Sequence, residues 1–208
     1  MSSAPAATGR ARPGRPSSGA RERILEAGIE VLKAEGYAGM TIAKVAAAAG
    51  ENKALIGYHF GSKQGLVAAV GRQVGDAITD EVVAGIGRAH SIDGVVRGVI
   101  DGVWAVMDRD VRIARVYFDL TAVSVVEPNV RRVMQEVRAG WRQVLATMLS
   151  EADPEMSAAA ADTGALFIHT GVEGLVLERV EAGDSAELRR GRELFRRSAV
   201  RALQRQAA

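Results

Sequence analysis

Apolar residues recur along this chain at spacings of three and four, which is the period of a helix with one buried face. Ile24, Leu25, Gly28, Val31 and Leu32 predict a first helix from about Ala20 that ends before Gly36. Thr41 is placed to cap a second, with Ile42, Val45, Ala46 and Ala49 on its inner stripe. Gly50 interrupts the pattern where a residue without Cβ turns the chain cheaply through positive φ. Asn52 then caps a short helix, Lys53 to His59, with Leu55, Ile56 and Phe60 facing inward, and Ser62 caps a longer one that runs towards Gly87. Further helices are predicted over Ile92 to Met107, Val111 to Val126, Pro128 to about Ala152, Met156 to Val180 and Asp184 to about Gln204. Period-two alternation is nowhere sustained, so the expected fold is all-α, without sheet or internal repeat.

Two short helices joined at Gly50, with the small Ala46 at their crossing, form a helix-turn-helix. Its second helix is left free to enter a DNA major groove. The order Thr41, Ile42, Val45–Ala46, Ala49–Gly50, Tyr58–His59–Phe60, Ser62–Lys63, Leu66 resembles the DNA-binding domain of TetR-family transcriptional regulators. The likeness covers roughly residues 20 to 70. It implies a helix-turn-helix domain over 19–65 and a helical effector-binding and dimerisation domain over 66–208. It also implies a ligand-responsive regulator, a repressor by preference, released from a palindromic operator in double-stranded DNA. Carried over residue by residue, Lys53 and Ala54 lie near base edges with Asn52 assisting, and Thr41, Lys44, Tyr58, His59 and Lys63 hold the phosphate backbone. Two positions depart from the family pattern: Glu51 stands where a small apolar residue is usual, and Gly57 where a tyrosine is usual.

Charge changes the picture more than composition does. The net charge is only +2, but residues 1–75 hold ten Lys/Arg against five Asp/Glu, which leaves seventeen (27 − 10) against twenty (25 − 5) beyond them. A basic N-terminal third suits a DNA-facing end. Residues 1–18, rich in Pro, Ser, Ala and Gly and carrying Arg10, Arg12 and Arg15, are expected to be a disordered basic arm that either enters a minor groove or serves as a solubilising tail. With 48% hydrophobic residues and a mean hydropathy of +0.03, the chain can build a sizeable core. No apolar run reaches membrane-span length, Met1–Ser18 lacks a secretory apolar segment, and cysteine is absent, so a reducing cytoplasm is expected and no membrane partner.

Candidate chemistry is sparse. His59, His90 and His169 are far apart and match no metal-ligand spacing, and no nucleophile elbow or phosphate-binding loop occurs, so neither metal, cofactor nor catalysis is expected. Six of the nine aromatics lie beyond residue 100. Trp104, Met107, Tyr117, Phe118, Met134, Trp141 and Phe167 are therefore candidate walls of a cavity for a largely apolar effector, although core packing explains any one of them. His169 and Glu173, four apart on a helix, either hold a polar ligand group or form an ordinary interface or surface pair. The small-residue helix after Met156 and its Leu/Phe-faced successor make the best homodimer surface. A constitutive architectural DNA-binding protein and an α-helical enzyme are the competing classes. DNA binding indifferent to small molecules would favour the first, and turnover without DNA the second.

Overall fold

The computed structural model describes residues 19–87 and 89–206, so the arm expected over 1–18 lies outside it. Nine helices and no strand occur among the described residues. They are α1 (Ala20–Gly39), α2 (Ile42–Ala49), α3 (Lys53–Phe60), α4 (Lys63–Ile86), α5 (Ile92–Asp110), α6 (Arg112–Val126), α7 (Pro128–Ala152), α8 (Ala158–Ala182) and α9 (Ala186–Gln206). Their starts follow from short side chains that accept orphan backbone N–H groups. Thr41 Oγ1 accepts from Lys44, Asn52 Oδ1 from Ala54 and Ser62 Oγ from Gly65, at 3.2, 2.9 and 3.0 Å. Each such cap contributes about 1 kcal/mol. Gly50 closes α2 in the left-handed region (φ 64°, ψ 30°), as its place in the pattern requires.

One boundary differs from expectation. The first helix does break at Gly36, where φ is 68° and ψ 180°, but helical turns resume to Gly39 before Met40 enters the core. That extra turn carries Tyr37, whose backbone N–H donates to Asp119 Oδ2 of α6 at 2.5 Å. A side chain from a distant helix thus takes up a donor that the broken helix leaves free.

Two apolar cores share the long α4. The first joins Ile24, Leu32, Met40, Val45, Ile56, Leu66 and Val70 to Val116 and Leu120 of α6 and Val130 and Met134 of α7. The second gathers Val82 and Ile86 of α4 with the inner faces of α5, α7, α8 and α9. Half-buried Ile78 packs against both. The contact of α4 with α5 is backbone to backbone: a Cβ placed on Gly98 would lie 2.5 Å from Ile86 Cα, and one on Gly102 2.8 Å from Val82 Cα. The helix-turn-helix is therefore seated on the larger helical body through α4 and α6.

Candidate functional site

The helix-turn-helix presents one outward face. Lys53, Ala54, Gly57 and Tyr58 of α3 are all exposed, Tyr58 by 74%, while Ile56 is fully buried beneath them. Positions i, i+1, i+4 and i+5 share a helix side, which gives α3 a free surface for a groove. A Cβ on Gly57 would meet nothing within 4 Å, so the missing tyrosine leaves open space on this face. Thr41, Lys44 and Asn52 border it and are exposed. The Thr41 and Asn52 oxygens accept cap bonds, which leaves a hydroxyl proton and an amide NH2 to donate elsewhere. Lys44 Nζ pairs with Glu35 and donates to the Gly39 carbonyl at 3.0 Å.

Two of the expected phosphate contacts are held differently. Lys63 Nζ donates to the Tyr37 carbonyl at 3.0 Å and sits 4.3 Å above the Tyr37 ring centre, which leaves two of its three protons uncommitted. His59 turns off the outward face into a groove that it lines with Arg21, Arg72, Asn129 and Arg132, and its Nε2 is buried without a partner. Glu51, the other departure from the family pattern, accepts from Arg23 at 2.5 Å, so acid at the turn is answered by base on α1.

The second site is an apolar, partly open cavity of about 80 Å³ lined by residues of α4 to α8. Of the nine residues proposed from sequence, Met107, Tyr117, Phe118, Trp141, His169 and Glu173 line it. Trp104, Met134 and Phe167 do not. Trp104 faces α8 and α9, with the guanidinium groups of Arg179 and Arg192 at 5.5 and 4.9 Å from its ring. Met134 belongs to the first core, and Phe167 is 43% exposed beside Phe195. Helical periodicity told that these side chains face inward or pair off, but not which neighbour they meet.

Behind one wall of the cavity lies a polar cluster that presents almost no polar surface to it. Tyr117 Oη donates to Glu173 Oε1 at 2.5 Å, and Arg138 Nε reaches Tyr117 Oη at 3.1 Å and Glu173 Oε1 at 3.3 Å. Arg138 Nη2 also donates to Thr121 Oγ1 at 3.0 Å. Burial and then the Glu173 charge push the Tyr117 phenol well above its ordinary range, so it stays a donor. His169 is only 7% exposed and its ring lies 4.9 Å from that of Trp141. Burial holds its pKa below the ordinary 6.5; Glu173 opposes this, and Arg138 and Arg142 reinforce it. Its Nε2 is 3.5 Å from Glu173 Oε1, yet makes no hydrogen bond among the described residues. A buried polar atom left so costs about 1–3 kcal/mol. Arg138 was not foreseen from sequence. The available signal was a cation four residues after Met134 and three before Trp141, inside the apolar stripe of α7.

The sequence profile of "Bacterial regulatory proteins, tetR family" matches residues 24–70, and that of "BetI-type transcriptional repressor, C-terminal" matches residues 94–204. The chain belongs to the TetR family. A relative, HTH-type transcriptional regulator BetI 1 of Chromohalobacter salexigens, is 28% identical over 127 residues, a match that spans 58% of this chain and 60% of that protein. A transcriptional regulator from Rhodococcus sp. RHA1 has the same fold, with a TM-score of 0.74 at 17% identity over 88% of this chain and 96% of its own. The multidrug binding protein EbrR, solved in complex with imidazole, superposes with a TM-score of 0.68 at 22% identity over 87% of this chain and 90% of its own. Membership in a family of bacterial regulatory proteins leaves no place for the enzyme alternative.

Proposed function

We propose that this protein is a ligand-responsive transcriptional repressor that leaves a palindromic operator when a small, largely apolar molecule occupies the cavity of α4 to α8. One observation carries the reading. The cavity is lined by Ile113, Ala114, Tyr117 and Phe118 of α6, and the same helix holds the DNA-binding domain through the Asp119–Tyr37 bond. A ligand that displaces α6 acts directly on the end of α1 and, through the Tyr37 carbonyl, on Lys63 at the start of α4. The multidrug binding by EbrR and the BetI-type C-terminal match support a small-molecule effector, without naming it.

The operator is read by two copies of the chain. One α3 spans too few base pairs for useful specificity, and a two-fold dimer doubles the site. The partner surface is the outer stripe of α8, where Thr163, Leu166, Phe167, Thr170, Gly174 and Leu177 are exposed at helical spacing, with Leu194 of α9 beside it. The protein acts in the cytoplasm, where bacterial DNA is. Lys53 and Ala54 face base edges, with Asn52 beside them. Thr41, Lys44, Tyr58 and Lys63 hold phosphates, and His59 joins them if its ring turns out of the groove.

Two measurements test the reading. DNA fragments selected by the protein from a random pool should share a palindrome. A compound that raises the melting temperature should then bind more weakly when that DNA is present, because linkage is reciprocal. Fragments without two-fold symmetry, or ligand affinity indifferent to DNA, would refute it.

A further inference from the structure

Between Met40 and Lys63 the chain carries one acidic residue, Glu51, and it stands immediately before the cap of α3. Local bonds fix it there. Gly50 turns the chain at φ 64°, the Glu51 N–H donates to the Ala46 carbonyl at 2.9 Å, and Asn52 caps α3 at the next residue. A negative charge at this place favours the helix start, where unpaired N–H groups carry partial positive charge, and α3 has no acid in its own first turn. The same charge is unfavourable towards DNA. The first residues of a reading helix approach base edges between two phosphate strands. A bare carboxylate within a Debye length of them, about 10 Å at 0.1 M salt, is repelled.

The first turn of α1 supplies the counter-charge. Arg23 reaches across 28 residues to place Nε at 3.1 Å and Nη2 at 2.5 Å from the same oxygen, Glu51 Oε1. The Glu51 side chain is 11% exposed and that of Arg23 45%, so the acid is turned inward and the base outward. Arg21, two residues earlier, lies over the Phe60 ring at 5.7 Å from its centre. The start of α1 thus touches α3 at both of its ends. We propose that Arg23 is a positioning residue for DNA binding: it masks Glu51 from the phosphates, so that the acid supports the start of α3 without repelling the DNA. This rests on the reading of α3 as the helix that faces DNA, and it gives a role to two residues outside the contacts expected there.

The test is the affinity of full-chain variants for a random-sequence duplex and for the site selected from a random pool, measured by fluorescence anisotropy at about 0.1 M salt. Arg23→Ala should weaken binding to both duplexes about tenfold, and Arg23→Lys, which keeps the charge, should stay within about twofold of the parent. The deciding case combines Arg23→Ala with Glu51→Gln. Acid and base are then removed together, and affinity should return to within about twofold of the parent. Arg97→Ala is the control. It opens a pair with Asp93 (2.9 Å) beside the last turn of α4, remote from α3, and should leave DNA binding unchanged. A double variant as weak as Arg23→Ala would mean that the arginine itself holds a phosphate. An equal loss in Arg97→Ala would mean that net charge alone decides. Either overturns the proposal. If Arg23→Ala fails to fold, Glu51→Gln decides by itself: it removes the acid and keeps the base, so binding should tighten about threefold, and unchanged or weaker binding overturns the proposal. The selected site separates the two readings. Rescue on the random duplex, with a selected site that lacks two-fold symmetry, refutes the palindromic reading and supports the mask. A palindrome bound without rescue does the reverse.

Discussion

At the scale of single residues, the roles proposed for the basic side chains follow from exposure and hydrogen bonding. Lys53 stands free on the outward face of α3, and lysine donates to guanine O6/N7 in the major groove. Lys53→Ala should therefore cost about 1–3 kcal/mol on the preferred site and little on random DNA. Lys63 is anchored on Tyr37, so Lys63→Ala should weaken binding to every sequence alike, with the salt dependence flattened by about one unit of slope per half-site. Fluorescence anisotropy on both DNAs over a salt series checks the pair, and equal losses on both would reverse the roles. His169 carries a pH signature. Burial keeps it neutral in the folded protein at pH values where the unfolded chain, with an ordinary 6.5, takes up a proton. Above 6.5 neither state binds that proton, so nothing is lost. As the pH falls below 6.5 the unfolded state gains protons first and stability declines towards the lower folded value. Glu173, Arg138 and Arg142 are the charged groups that act on it, and His169→Gln should make the urea midpoint less sensitive to acid between pH 7.5 and 5 than it is in the parent.

At the scale of elements, what matters is how close two helices come and what ties them. Gly98 and Gly102 let α5 lie against the backbone of α4, so Gly98→Ala must push two main chains apart. Overpacking of this kind costs about 1–3 kcal/mol. The gain in helix propensity returns at most about 1 kcal/mol, and the net effect should be a lower melting temperature. Gly57→Ala is the counterpart with nothing to strike, and it should raise thermal stability by about 0.5–1 kcal/mol. The tie between α6 and α1 makes a different prediction. Asp119→Ala removes the acceptor for the Tyr37 N–H and should leave ligand affinity in place while the ligand's effect on DNA shrinks. Titrating ligand with and without DNA in this variant would show unequal affinities if α4 alone carries the coupling.

At the scale of the whole molecule, the proposed function requires a dimer and a linkage between cavity and DNA. The glycines of α8 separate dimerisation from folding. A Cβ on Gly171 would lie 2.1 Å from the Phe195 ring, inside the subunit, whereas one on Gly174 meets nothing within 4 Å. Gly171→Leu should therefore damage the fold, and Gly174→Leu should split the dimer while each subunit keeps its helicity. Light scattering and circular dichroism together distinguish these outcomes. A parent protein that is monomeric at micromolar concentration with full DNA affinity would contradict the arrangement. Ligand and DNA should oppose each other by about 1–3 kcal/mol, which is five- to 150-fold in affinity.

Local chemistry made much of this legible in advance. Caps at Thr41, Asn52 and Ser62, the turn at Gly50 and the apolar period depend on neighbours a few residues away, so a linear sequence states them directly. The spacing of Tyr58, His59, Phe60 and Lys63 announced the family for the same reason. The cavity could not be read that way. Trp104, Met107 and Phe118 are equally apolar, but which of them borders a void depends on the azimuth of each helix against four others, and Trp104 turned to Arg179 and Arg192 instead. Arg138 was hidden because its partners, Tyr117, Thr121 and Glu173, lie 17 to 35 residues away. The bond from Asp119 to Tyr37 crosses 82 residues. The sequence by itself determined the helices, their caps and the helix-turn-helix, because those are set by backbone and nearest-neighbour energetics. Only the tertiary structure decided the cavity, the polar cluster behind its wall and the contact of α6 with α1, because those arise where helices distant in the chain are brought into contact.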